Sequence, residues 1–207
     1  MTRLMRAIPL AALLPLLVLA ADPPTPETAN ARALAVMEKS FTAHGQAGMD
    51  RLQQDETQAL CSSLQAAAPS AEQSARITAA NREMIRYPAD DQYLGDWKRG
   101  EAIAQEGTGM QYSDDPAKPA GGNCYACHQL AKAEIAYGTI GPSLYNYGKN
   151  RGNSPAILKL AWGMLYDMKA MVPCTAMPRF GAKDILSEQQ LKDVMALLFD
   201  ANSPVNQ

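Results

Sequence analysis

"GGNCYACHQL", residues 121–130, sets Cys124 and Cys127 three apart with His128 directly after them. A disulfide loop, half of a zinc site, a thiol redox pair and a haem attachment all begin from two nearby cysteines. The histidine narrows the choice, because C-x-x-C-H is the attachment pattern of a c-type haem. On one helical turn positions i and i+3 share a face, so both sulfurs reach one edge of a porphyrin. His128 at i+4 is carried beneath the ring, where its imidazole can bind iron. A zinc site would need a second Cys/His pair, and the only other histidine, His44, lies far upstream. A thiol redox pair wants a βαβ setting. Sparse Val, Ile and Phe with abundant Ala, Leu, Met and Gln favour helices over sheet, so that setting is not expected. The stretch therefore predicts an all-α protein with one covalently attached haem c, anchored by Cys124 and Cys127 and ligated by His128.

Export agrees with this reading. "MTRLMRAIPLAALLPLLVLAADPPTP" has Arg3 and Arg6, an apolar run from Ile8 to Ala20, then small residues and prolines, the layout of a secretory signal peptide over 1–20. The run is too short for a transmembrane span, so the mature chain is expected to be periplasmic and free of the membrane. Removing the two signal arginines moves the formal charge from -2 to -4. A mildly acidic chain lacks the basic surface that a nucleic-acid partner requires.

The mature chain divides near residue 90, into a helical extension (21–90) and a haem domain (91–207). The extension reads as two or three helices punctuated by His44-Gly45, Ala68-Pro69-Ser70 and Tyr87-Pro88, with Leu34, Met37 and Phe41 as a narrow apolar stripe on the first. His44 is expected to close that helix. In the haem domain Asp96 caps a helix carrying Gly100, which is costly in mid-helix unless another backbone approaches there. The last helix is the candidate neighbour: Ser187 and Gln190 form a capping box, and Leu191, Val194, Met195 and Leu198 make its apolar face. Ser154-Pro155 starts a third helix, with Met164, Met168 and Met171 along one side.

Met177 stands apart from the other methionines. It lies between Pro173 and Pro178, in a stretch that cannot be regular helix, about fifty residues after the haem motif, and is the expected second axial ligand, with Met171 and then His44 as the alternatives. Two protein ligands would leave iron no open site, which favours electron transfer over oxygen chemistry. Cys61 and Cys174 remain. In an oxidising compartment they most simply pair, tying the extension to the loop that presents Met177. Between Cys124 and Lys183 seven Lys and Arg (Lys132, Lys149, Arg151, Lys159, Lys169, Arg179, Lys183) face only Glu134 and Asp167. Arg151 or Arg179 is expected at a haem propionate, and the rest as a basic rim that steers an acidic partner.

These features together resemble the class I cytochromes c: a helix with Gly100, C-Y-A-C-H, Gly141-Pro142, Met177-Pro178 and a closing helix. The resemblance implies that fold with an N-terminal extension, and a Pro142 carbonyl that accepts the hydrogen bond of the His128 imidazole. Over about residues 95–200 the wording "GNCYACH", "GTIGPSLYNYGKNRG" and "MPRFG" is similar to the SoxX family, the monohaem subunits of SoxAX cytochromes in periplasmic thiosulfate oxidation. That resemblance implies a heterodimer with SoxA, action on the carrier SoxYZ as an L-cysteine S-thiosulfotransferase, catalysis on SoxA rather than here, and a soluble cytochrome c as acceptor. The alternatives are an independent soluble class I cytochrome c shuttle, or a haem enzyme or gas sensor in which Met177 swings away.

Overall fold

The computed structural model describes residues 25–207, and the expected signal peptide falls outside them. The elements are α1 (Pro26–Ser40), α2 (Glu56–Ser63), α3 (Ala71–Met84), α4 (Trp97–Gln105), α5 (Tyr147–Arg151), α6 (Pro155–Tyr166) and α7 (Glu188–Phe199). Short 3-10 turns lie at Met49–Leu52, Cys124–Ala126, Met168–Ala170 and Pro204–Asn206. Among the described residues there is no strand, only one isolated bridge between His44 and Ala47, and no helix long and apolar enough to cross a membrane. The all-α expectation holds.

The chain separates into two units, Met1–Ser40 and Phe41–Gln207. The described part of the first is α1, whose Val36 and Met37 are exposed. It ends at Ser40, so Phe41 of the expected stripe belongs to the second unit, and His44 sits in a tight turn with Gly45 instead of closing the helix. Residues 41–90 pack into the same body as the haem domain, and the division near residue 90 does not appear as a boundary.

α4 and α7 cross at the centre of this body. Asp96 accepts from the backbone N–H of Lys98 and Arg99, satisfying two of the donors that open α4. Ser187 and Gln190 close a reciprocal capping box on α7. A Cβ on Gly100 would lie 2.1 Å from the Asp193 carbonyl oxygen, so only glycine lets the two backbones meet. Leu191, Val194, Met195 and Leu198 point into one core with Tyr93, Ala104, Trp162, Leu165 and Phe180.

Asp193 carried no sequence signal. Its carboxylate, 3% exposed, accepts from Arg99 Nε (2.8 Å) and Nη2 (2.9 Å), from the Asp96 backbone N–H (2.8 Å) and from Gln189 Nε2 (2.9 Å). Burial alone would raise its pKa. The bonds from Arg99, the Asp96 N–H and Gln189 outweigh burial and hold it below the usual carboxylate range. A depressed folded value means that the stabilisation is complete above the unfolded carboxylate pKa of about 4 and is lost as pH falls through the folded value. Asp193→Ala should cost about 2 kcal/mol at neutral pH through the lost hydrogen bonds to a charged acceptor, and urea titrations should show that difference shrinking in acid.

α6 begins at Pro155, as expected, but ends at Tyr166. Asp167 turns the chain into extended backbone (φ -155°), so Met168 enters a 3-10 turn and Met171 follows it. The Met164, Met168 and Met171 row is therefore not one helix face. α5 lies inside the stretch read as loop. Asn146, in the left-handed region, opens it, and Gly152 (φ +72°) ends it.

Candidate haem site

The haem motif is fastened to α4 before it and to a returning loop after it. Backbone N–H groups of Gly122 and Asn123 donate to the carbonyls of Ile103 (2.8 Å) and Glu106 (2.9 Å), satisfying acceptors at the end of α4. Cys124–Ala126 forms a single 3-10 turn, and His128 N–H reaches the Cys124 carbonyl at 2.9 Å, which closes one α-type turn. This short turn, rather than a full helix, sets both cysteines and His128 together.

Residues 138–144 then run back along the motif. Gly138 donates to the Tyr125 carbonyl (2.8 Å), Gly141 to that of Cys127 (2.9 Å) and Leu144 to that of Gln129 (2.8 Å). The Pro142 carbonyl accepts from His128 Nδ1 at 2.7 Å. A carbonyl cannot donate, so Nδ1 carries the proton and Nε2 is left with a lone pair for a metal. A Cβ on Gly141 would meet His128 Cε1 at 2.1 Å, so the loop backbone lies flat against the imidazole. His128 is thus fixed in tautomer and in ring orientation.

Met177 is half-buried and packs on the same core as Cys124, Ile103, Leu144, Ile157 and Leu158. These come from α4, the haem turn, the returning loop, α6 and the segment after it, and all remain partly open. A histidine with a free Nε2, a thioether, two unpaired cysteines and a set of half-covered aliphatic side chains fit a covalently bound haem. Burial pushes the Cys124 thiol up to about 12, the opposite of the shift that a redox or nucleophilic cysteine needs. Among the described residues no group of three or more Cys, His, Asp and Glu could hold a metal ion, so a zinc clasp has no second half there.

Arg179, expected at a propionate, has its guanidinium engaged by Asp55 and Asn81. It is 4% exposed, pairs with Asp55 and donates from Nη1 to Asn81 Oδ1 at 3.2 Å. Lys183 also pairs with Asp55 (2.8 Å), and Lys169 Nζ donates to the Thr175 carbonyl (2.5 Å). The expected basic rim contracts to Lys132, Lys149, Arg151 and Lys159, all exposed. Arg151 lies over the Tyr147 ring at 5.6 Å and Lys159 over Tyr87 at 4.8 Å. Cys61 of α2 and Cys174 are joined in a disulfide with their Cα atoms 5.4 Å apart, as the leftover-cysteine argument expected.

Comparison with known proteins agrees with this geometry. The cytochrome c family model matches residues 98–200. A relative from Aquifex aeolicus (strain VF5), named an uncharacterized lipoprotein, is 37% identical over 156 residues, 74% of this chain and 73% of its own length. A haem-attachment turn with an oriented histidine, beside half-covered apolar side chains, fits the way these proteins hold covalent haem and carry electrons, and the chain belongs to the cytochrome c family.

Proposed function

We propose that this cytochrome is a periplasmic SoxX-type electron-transfer subunit with His128 and Met177 as its axial ligands. The observation that carries the axial pair is the His128–Pro142 bond, which leaves Nε2 for iron, together with a half-buried Met177 packed on the same core. When bound, the haem supplies a one-electron ferric/ferrous couple. The Pro142 carbonyl holds the Nδ1 proton and raises the basicity of Nε2. The Met177 thioether, a soft ligand, favours the ferrous state. His128 and Met177 would together hold the iron and leave an exogenous ligand no free site, and the half-buried aliphatic side chains would limit water.

The finer assignment is supported by the wording of "GTIGPSLYNYGKNRG" and "MPRFG", the segments that here run along the haem motif and carry Met177. Coupling thiosulfate to a carrier cysteine removes two electrons and one proton from the thiol and thiosulfate, forming a cysteine S-thiosulfonate. The role of this subunit is to take those electrons onward, one at a time, from a SoxA partner acting on SoxYZ to a soluble cytochrome c. Ile135 and Ile140, 92% and 76% exposed, stand on the loop that leads into Gly141-Pro142 and offer apolar contact for such a partner. The relative's name as a lipoprotein and the N-terminal sequence support export.

Met177→Ala should lower the midpoint potential by on the order of 100 mV and let the ferrous protein bind carbon monoxide, which the parent should resist. Redox titration and difference spectra read both. Pull-down with the haem-loaded protein from periplasm should recover a haem-containing partner, and the pair should conjugate thiosulfate to a carrier thiol. Recovery of neither partner nor conjugation would leave the independent shuttle.

A further inference from the structure

The family match begins at residue 98, so α2 and α3 precede it, yet both grip the segment that carries Met177. That segment holds itself poorly. Between Val172 and Arg179 its internal bonds are Thr175 N–H to the Val172 carbonyl and Met177 N–H to Thr175 Oγ1, both 3.4 Å and beyond the usual N–H···O range, and a short local tie runs from Lys169 Nζ to the Thr175 carbonyl. Two prolines remove further donors, and Cys174 sits in the left-handed region at φ +57°.

The support comes from outside. Arg82 Nε of α3 donates to the Ala170 carbonyl at 3.1 Å. Cys61 of α2 is bonded to Cys174, three residues before Met177. Arg179, two residues after it, pairs with Asp55 and with Asn81. The anchors are themselves held by hydrogen bonds. Asp55 is the N-cap of α2 and accepts the Gln58 N–H at 2.9 Å, while Asn81, fully buried, donates to Thr57 Oγ1 (2.9 Å) and to the Ile77 carbonyl (2.7 Å). Ties on both sides of one residue, made to a rigid helical layer, remove the loop freedom that its departure would require.

We propose that α2 and α3 form a clamp on the Met177 loop, with Asp55, Cys61, Asn81 and Arg82 as positioning residues that keep the thioether on iron. This rests on Met177 being the axial ligand. The test uses the ferric haem-loaded protein and two readouts, the weak near-infrared charge-transfer band of methionine-ligated haem and the rate at which imidazole replaces the methionine. Cys61→Ser/Cys174→Ser and Asp55→Asn should each speed replacement at least about tenfold, since each frees one side of the loop. Asp55→Glu should restore most of the parent rate. Ser70→Ala weakens α3 through its cap without touching any tie, and should leave the rate unchanged. Arg82→Gln, on an exposed side chain, gives the same test where a buried change blocks haem loading. Parent-like rates in every tie variant that loads haem, or equal acceleration by Ser70→Ala, overturn the clamp. A parent without the near-infrared band, or with one that survives Met177→Ala, overturns the ligand assignment instead.

Discussion

Cys124→Ser/Cys127→Ser should yield a chain with no haem that survives denaturation, read by haem staining of a denaturing gel and by the intact mass. Serine oxygen does not form the thioether that cysteine sulfur forms with a vinyl group, and the remaining cysteines are already joined as Cys61–Cys174. The consequence reaches beyond the cofactor. Ile103, Leu144, Ile157 and Leu158 are only partly covered by protein, so without haem they stay open to water. Each fully buried aliphatic side chain contributes about 1.5–3 kcal/mol, and a chain of this length loses about 2–4 °C of Tm per kcal/mol. Even partial loss at four positions should lower Tm by about 10 °C or more. A variant that keeps covalent haem would mean that the anchors lie elsewhere.

Gly100→Val should be the most damaging single change outside the haem turn. The added Cβ would lie 2.1 Å from the Asp193 carbonyl oxygen, 2.7 Å from its carbonyl carbon and 3.0 Å from Leu197 Cβ. Two of these atoms are backbone and cannot swing aside, so α4 and α7 must separate. Separation also pulls Arg99 from Asp193 and uncovers that buried carboxylate. Ordinary overpacking costs about 1–3 kcal/mol, and losing hydrogen bonds to the Asp193 carboxylate adds about 1.5–3 kcal/mol. The expected result is little or no soluble haem-loaded protein. Any that is recovered should unfold at a much lower urea midpoint with the slope unchanged. A midpoint close to the parent's would show that the crossing is looser than the structure has it.

Much of this was legible in the chain itself, and the reason is locality. Capping, as at Asp96 and Ser187, needs an acceptor two or three residues from its donor, so the residues alone identify it. The spacing of Cys124, Cys127 and His128 is set by one helical turn. Gly100 announced a close approach because glycine in mid-helix is costly without one. Other features depended on residues far apart. Nothing near Arg179 marks Asp55, 124 positions earlier, as its partner, and nothing near Asp193 marks Arg99. The methionine row failed for a related reason: helical spacing ran on past Tyr166, while the fold turned at Asp167.

Sequence by itself thus determined the helical class and marked the C-x-x-C-H turn of Cys124, Cys127 and His128, because these follow from contacts within a turn of chain. Only the tertiary structure decided that Asp193 joins α4 to α7 and that Arg179 faces Asp55 and Asn81, while the Pro142 carbonyl at His128 is where the family resemblance put it. Each is an interaction between atoms brought together by packing, where burial leaves a polar group no water and makes the choice of partner decisive.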